Sequence, residues 1–380
     1  MRIGISTSVV QRGKTGVAQY VFALLRAMRA YSREHHFVLF VLEEDRPLFA
    51  FVRDEMEISV VPEKYRPPVK NILWHQTRLP RLVRQYGLDV LHVPSYRRLI
   101  WRKPCGLVGT IHDVAPFRVP KKYEWKRMFY GRVIVRRLAH RQDGLIAVSN
   151  NTASDIRSFF GLPAERITII PNGIEHGRFF PAEKEAARLA LSGRAKLQNR
   201  FFLYVARLEH PGKNHVRLIS AFEEFKAATH SDWQLVFGGS DWHGAEAIHN
   251  QIQNSPFASD IRCLGFVSDS DLPDLYRAAD VFVYPSLYEG FGFPPLEAMA
   301  CACPVISSTR GSLGEVIGEA AARVEPEDIH NIAKQLYILA TDEACRNRLR
   351  AAGLAQAKKY DWKRTAEETL KLYERVCRKL

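Results

Sequence analysis

Two glutamates, Glu289 and Glu297, lie with seven residues between them in Tyr284-Pro285-Ser286-Leu287-Tyr288-Glu289-Gly290-Phe291-Gly292-Phe293-Pro294-Pro295-Leu296-Glu297. The apolar run Val281–Tyr284 reads as a buried strand. Pro294 and Pro295 suit the first turn of a helix, just inside which Glu297 falls. A strand that ends in a glycine loop and opens a helix aims unpaired backbone N–H groups at one spot, with the positive end of the helix dipole behind them. Two carboxylates beside an anion-friendly spot suit a ligand that carries both phosphate and hydroxyl groups, such as a sugar nucleotide.

Other groups with chemical potential also fall at the ends of expected strands. Phe201–Ala206 runs into Arg207-Leu208-Glu209-His210-Pro211-Gly212-Lys213. An arginine fork and a mobile lysine charge in one loop suit the two phosphates of a diphosphate. Leu107–Ile111 ends in His112-Asp113, where His112 can bond a sugar hydroxyl or an acceptor and Asp113 can orient it. Gly13-Lys14-Thr15-Gly16 precedes a helix without being a P-loop, since no Lys-Ser/Thr follows its second glycine. Asp269-Ser270-Asp271 has an Asp-x-Asp form, but it directly precedes the helical pattern Leu272–Ala279, so N-capping explains it more simply than a metal. No metal is expected.

The elements that must position these groups alternate along the whole chain. Strands are expected at Arg2–Ser6, Val38–Leu42, Leu88–Val93, Leu107–Ile111, Leu145–Ser149 and Ile167–Ile170 in the first half. The second half offers Phe201–Ala206, Gln234–Phe237, Ile261–Leu264, Val281–Tyr284, Val305–Ser307 and Ala322–Val324. Helical patterns lie between them, notably Val17–Tyr31 and Val69–Tyr86, then 215–229, 244–254, 271–279, 294–302 and 328–340. Such alternation implies an α/β protein of parallel, doubly wound sheets, which bind ligands at the carboxyl ends of their strands. The 380 residues suffice for two domains, expected at 1–180 and 181–361 and facing across a cleft, with a final helix at 362–380. The first residues read as a strand and not as a signal peptide, and no apolar run is long enough to span a bilayer. Six cysteines without metal spacing point to a reduced, cytoplasmic chain.

Charge divides the two halves. Residues 1–180 hold 30 Lys+Arg against 15 Asp+Glu, while the remainder holds 25 against 26. An anionic partner is therefore expected for the first half only. The focus is 121–141, with eight Lys/Arg and one Glu among aromatic residues, together with 96–103. Within these, Trp101, Arg102, Lys121, Lys122, Trp125, Lys126 and Arg127 are candidates for contact with an acceptor or an anionic membrane surface. A solvated basic helix is the alternative reading.

The segment Glu289–Ala298 resembles the paired-glutamate signature of the retaining glycosyltransferases of family four, which have the GT-B fold. The resemblance extends over most of the chain, through Val148-Ser149-Asn150, Ile170-Pro171-Asn172-Gly173-Ile174, Val205-Ala206-Arg207-Leu208, Leu264-Gly265-Phe266-Val267 and Ala278-Ala279-Asp280-Val281. It implies that Glu297 bonds the nucleotide ribose and that Glu289 lies beside the transferred sugar with the backbone amides of Phe291, Gly292 and Phe293. By the same resemblance Arg207 and Lys213 grip the diphosphate, and the Phe266–Val267 backbone meets the base. His112 lies near the sugar, Gly16 near the diphosphate and acceptor, and the final helix crosses back onto the first domain. The Arg207-to-Lys213 loop is one residue longer than the commoner family form. The implied activity is metal-independent, cofactor-free transfer of a hexose from a nucleotide-diphosphate sugar, with a lean to GDP-mannose, onto a glycan or lipid-linked acceptor in polysaccharide or lipopolysaccharide synthesis. A sugar-nucleotide epimerase or phosphorylase on the same fold is a rival reading. A nucleic-acid binder using the basic half is another, although no recognised nucleic-acid module is present.

Overall fold

The computed structural model describes residues 1–13, 15–118, 129–192, 197 and 200–378. It divides into two compact units, Met1–Gly173 with Asp361–Leu380, and Ile174–Tyr360. The first join therefore falls before Ile174 and not after residue 180. The reason is local: Arg178 donates to the Asp269 carbonyl at 2.7 Å, and Arg277 donates to the Phe180 carbonyl at 2.9 Å, with its guanidinium 4.2 Å from the Phe180 ring. These contacts tie 174–180 to the second unit.

The first unit has strands β1 (Arg2–Ser6), β2 (His36–Leu42), β3 (Glu57–Val61), β4 (Val90–Val93), β5 (Gly106–Ile111), β6 (Gly144–Ala147) and β7 (Ile167–Ile169). They form one parallel sheet in the order β3-β2-β1-β4-β5-β6-β7. The second unit has β8 (Phe201–Val205), β9 (Gln234–Gly238), β10 (Ile261–Cys263), β11 (Val281–Tyr284), β12 (Val305–Ser308) and β13 (Ala322–Val324). Their parallel order is β10-β9-β8-β11-β12-β13. Central strands such as Phe201-Phe202-Leu203-Tyr204 are wholly buried, because helices cover both faces of a parallel sheet. Strand order reverses between β1 and β4 in one sheet and between β8 and β11 in the other, which opens a crevice at each reversal.

Most expected elements recur within a residue or two, and the departures have physical causes. Val69–Tyr86 is two helices, Pro68–Thr77 and Leu79–Gln85, because Pro80 has no N–H to continue the ladder and is tolerated only in a first turn. The edge strand β3 was not anticipated: it is short, carries Glu57, and leaves Val60 exposed, so it lacks the apolar run of a central strand. Among the described residues four α-helices of five residues or more fall outside the expected patterns: Lys184–Leu191, Leu313–Ile317 and two longer ones, Asn150–Phe160 and Glu343–Ala357. The two longer ones carry start signals, since Ser149 Oγ accepts from the Thr152 N–H at 3.0 Å and Asp342 Oδ1 from the Cys345 N–H at 2.8 Å. Asp271 makes no side-chain cap; Ser268 Oγ accepts its N–H at 3.1 Å, and Asp269 pairs with Arg178. The N-capping expectation for the two aspartates is therefore corrected.

The last helix, Trp362–Cys377, belongs to the first unit. It is strongly amphipathic and buries Leu370, Leu372, Tyr373 and Val376, at about 1.5–3 kcal/mol for each full burial. Thr365 donates to the Pro171 carbonyl at 2.8 Å. Among the described residues no helix is long and apolar enough to cross a membrane. All six cysteines are free.

Candidate active site

In the second unit the loops after β8 and β11 flank the strand reversal and are stitched together. Leu287 N–H donates to the Gly212 carbonyl at 3.1 Å. Buried Asn214 donates to the carbonyls of Pro285 at 3.0 Å and Pro326 at 2.6 Å. This fixes Lys213 against the glutamate loop. Its Nζ lies 2.6 Å from Glu289 Oε1, and the same oxygen accepts from Ser286 Oγ at 2.6 Å and from the Tyr284 hydroxyl at 2.9 Å. The loop backbone is held as well, because Ser312 N–H donates to the Glu289 carbonyl at 3.0 Å and Ser312 Oγ to the Gly290 carbonyl at 2.6 Å. Both partners of the ion pair are less than one-fifth exposed, with Lys213 at 18% and Glu289 at 17%. Burial alone would lower the Lys213 pKa, but the charge and hydrogen bond of Glu289, aided by Tyr204 and Glu209, carry it upward. Lys213 is a fixed cation.

Glu297 occupies a different environment. It lies in the helix Phe293–Ala300, half-buried, and its Oε2 accepts from the Tyr276 hydroxyl at 2.8 Å. Burial pushes its pKa up to about 7, outweighing the downward pull of Tyr276 and Arg178. Gly292 precedes this helix at φ +119, and a Cβ there would come within 2.8 Å of Leu313 Cδ2, so the turn into the helix requires glycine. Phe291 is buried, with its ring 5.2 Å from Phe293 and 5.7 Å from Tyr360.

Arg207 has its own partners. Its guanidinium lies 4.5 Å from the ring centroid of Trp242 and its Nη2 3.5 Å from Glu209, with the side chain 46% exposed. Arg207 and Lys213 thus share a loop but not a set of contacts. Phe266 is exposed and Val267 half-buried, after β10.

In the first unit His112 follows β5, half-buried, with Nε2 3.1 Å from the Pro94 carbonyl at the end of β4. A carbonyl only accepts, so Nε2 carries the proton and Nδ1 keeps its lone pair. Burial lowers the His112 pKa to about 4, against the opposing effects of Pro94 and Asp113, which leaves a neutral imidazole at pH 7. Its ring stands edge-on to Tyr20 at 4.6 Å. Tyr20 reaches Thr110 at 3.2 Å, Thr110 reaches His92 Nε2 at 2.7 Å, and His92 Nδ1 reaches the Tyr373 hydroxyl at 2.7 Å. Gly16 begins the helix Gly16–Met28, capped by Thr15, and a side chain added there would meet no atom within 4 Å. Trp101 and Arg102 are exposed. Lys121, Lys122, Trp125, Lys126 and Arg127 lie outside the described residues.

The structure thus joins Lys213 directly to Glu289 within one unit. Sequence reasoning missed the residues that complete this arrangement: Tyr284, Ser286, Tyr276 and Trp242. A signal existed for Tyr284, since a tyrosine that closes a buried strand needs a partner for its hydroxyl. Trp242, in a polar loop, carried none.

Residues 192–356 match the family of glycosyl transferases group 1, and residues 14–178 match glycosyltransferase family 4. O-antigen chain mannosyltransferase B from Escherichia coli is 31% identical over 333 residues, which is 86% of this chain and 82% of that protein. Sucrose-phosphate synthase from Thermosynechococcus elongatus has a similar structure, with TM-score 0.81, 20% identity and 99% of each chain covered. HepE from Anabaena in complex with UDP-glucose gives TM-score 0.77 at 18% identity, covering 98% of this chain and 99% of that one. The fold is GT-B, and the chain belongs to glycosyltransferase family 4.

Proposed function

We propose that the protein is a retaining, metal-independent hexosyltransferase that moves mannose from GDP-mannose to a hydroxyl of a glycan or lipid-linked acceptor, in the synthesis of a cell-surface polysaccharide or lipopolysaccharide and from the cytoplasmic face of the membrane. The observation that carries the reading is the Lys213–Glu289 pair, fixed by Tyr284 and Ser286 at a strand-order reversal. Mannose and polysaccharide are favoured by the likeness to an O-antigen mannosyltransferase.

In this reading the bond between the sugar and the diphosphate breaks, and negative charge grows on the leaving oxygen. Lys213, already charged and held in place, and Arg207, braced on Trp242, stabilise that charge without reorganising. The acceptor oxygen bonds the sugar on the face the diphosphate leaves, and its proton passes to a phosphate oxygen. Glu289 is a positioning group: three donors on one carboxylate oxygen withdraw its electron density and favour hydroxyl binding over attack. Glu297 accepts from the ribose hydroxyls, and the backbone of Phe266 and Val267 meets the base. The amides of Phe291, Gly292 and Phe293 meet sugar hydroxyls or phosphate. Nδ1 of His112 accepts from a sugar hydroxyl, and the open space around Gly16 admits the diphosphate or acceptor.

The test is a panel of GDP-, UDP- and ADP-sugars read by thermal shift, followed by transfer with and without EDTA and by NMR of the product anomer. GDP-mannose should stabilise most, and the α-linked product should form in EDTA. Stabilisation by another donor alone, an inverted product, or loss of transfer in EDTA would each remove the corresponding part. Near-normal turnover of Glu289→Gln would remove its positioning role.

A further inference from the structure

The first unit holds a chain of buried polar groups that the proposed reaction does not use. It starts on the final helix, where the Tyr373 hydroxyl meets His92 Nδ1 at 2.7 Å. His92 Nε2 meets Thr110 Oγ1 at 2.7 Å, and Thr110 Oγ1 meets the Tyr20 hydroxyl at 3.2 Å. All four side chains are buried. Burial lowers the His92 pKa to about 3 and raises those of Tyr20 and Tyr373, so every member is neutral at pH 7. A neutral imidazole donates through one nitrogen and accepts through the other, so the chain closes in either tautomer.

The chain ends on Tyr20, in the helix Gly16–Met28, about one turn after Gly16. The final helix reaches the same ring a second time, since Trp362 lies 5.8 Å from it at 64°. Against this doubly held ring stands the imidazole of His112, with centroids 4.6 Å apart and planes at 77°. Filling the core calls for no hydroxyl at position 20. An apolar side chain would need no partner there, whereas a buried hydroxyl is costly without one. The hydrogen-bonded chain therefore adds something packing alone does not, a fixed tilt of the Tyr20 ring.

His112 has need of such a neighbour. Its Nε2 donates to the Pro94 carbonyl at 3.1 Å. One hydrogen bond fixes one atom and leaves the ring plane free to turn about that bond. A ring packed edge-on against it stops the turn and, by excluding water, favours the neutral imidazole. Two other titratable groups act on this ring: Asp113, next in the chain, favours its protonated form, and His92 on β4 stays neutral. Burial outweighs both Asp113 and the Pro94 carbonyl, and the Tyr20 ring supplies part of that burial.

We propose that Tyr20 is the positioning residue of His112: its ring, pinned through Thr110 and Trp362, fixes the plane of the imidazole and leaves Nδ1 a neutral acceptor. Its bearing on transfer rests on the proposed role of His112 at the sugar, but its first readout does not. Full-length protein carrying labelled histidine is titrated by NMR, and the His112 signal is the one of thirteen that disappears in His112→Gln. In the wild type that signal should keep its neutral shift from about pH 8 to about pH 5.5. Tyr20→Ala should raise its midpoint by about 1–2 pH units as water enters, and Tyr20→Phe, which keeps the ring, should restore it. In transfer, Tyr20→Ala should lower kcat by up to about tenfold, the loss expected of His112→Ala. Added to His112→Ala, it should cost less than about twofold more, because the group it positions is already gone. A purely structural role would leave the midpoint in place and make the two losses multiply. Tyr20→Val, a smaller loss of packing, takes the place of Tyr20→Ala in both measurements if that variant does not fold. A midpoint that does not move, or losses that multiply in the double variant, overturns the proposal. A midpoint that moves while His112→Ala transfers normally upholds it and removes His112 from the sugar.

Discussion

The two units place polar groups at equivalent points of equivalent sheets and treat their charge in opposite ways. Beside the β8–β11 reversal the second unit keeps an ion pair, Lys213 with Glu289, whose partner hydroxyls all donate to the carboxylate. Near the β1–β4 reversal the first unit keeps neutral groups: His75 and His92 are lowered by burial to about 3 and His112 to about 4. A neutral network gives directional hydrogen bonds without a field, whereas a preorganised ion pair gives a field that is already aimed. On the proposed reading the second unit supplies the charge stabilisation together with the carboxylates that take hydroxyls, and the first unit adds neutral hydrogen-bonding groups.

Removing the charged side should cost most. Lys213→Ala should lower kcat by roughly 10²–10³-fold, the usual loss for one preorganised electrostatic contact. Steady-state rates check this, and a change below about tenfold would mean that the field comes from elsewhere.

Glu297 tests the second unit at an intermediate level. Its pKa is raised on folding to about 7, so the charged form is the disfavoured one. Stability contributed by the neutral form is present at low pH and is lost as pH rises from the ordinary carboxylate range through about 7. Ribose hydroxyls bind the carboxylate better than the acid, so donor affinity should improve between about pH 6 and about pH 8. Glu297→Gln should weaken donor binding by roughly 10–100-fold, the loss of hydrogen bonds to a charged group, and should flatten that pH dependence. Calorimetric titration across pH reads both effects.

His112 probes the neutral side. Because it is uncharged well above its lowered pKa, kcat should show no inflection from it between about pH 5.5 and about 8. His112→Ala should cost about tenfold, the value of one neutral hydrogen bond, and His112→Gln, which keeps an acceptor, should cost less. A rate step near the ordinary histidine pKa that vanishes in His112→Gln would break the comparison.

The smallest effect is expected at Tyr373→Phe, which removes the hydroxyl that meets His92. Stability should fall by about 1–2 kcal/mol, seen as a lower melting temperature. Donor affinity should be unchanged, since Tyr373 meets His92 and no group that the proposed reading places on the donor.

Much of this was legible in the sequence, for identifiable reasons. The strands of both sheets, the edge strand β3 apart, announce themselves as apolar runs; Glu289, Arg207 and Lys213 lie in loops that follow strands, with Glu297 on the next helix. Pairing was not legible. Nothing in the spacing of Lys213 and Glu289 shows that one ammonium will seat on one carboxylate oxygen, because that depends on the register of β8 against β11. Nor does sequence separate Glu297 from Glu289: burial raises the pKa of Glu297, and that burial depends on how the helix Phe293–Ala300 packs. The Asp269-Ser270-Asp271 cap failed for a related reason, since Ser268 lies one residue earlier and reaches the open N–H first.

The final helix has a consequence for the order in which this chain assembles. Gly173 and Trp362 are so close that a Cβ on Gly173 would come 2.1 Å from the Trp362 amide nitrogen, and Ile174 N–H reaches the Tyr360 carbonyl at 3.4 Å. The second unit is therefore one continuous loop of chain that leaves and rejoins the first at a single place. A ribosome that has made residues 174–360 has delivered a whole domain, while the earlier one still lacks the helix that covers Gly144 and meets His92. The half begun first is finished last, with part of its apolar surface waiting uncovered, and splicing residue 173 directly to residue 361 should yield it as a free-standing domain.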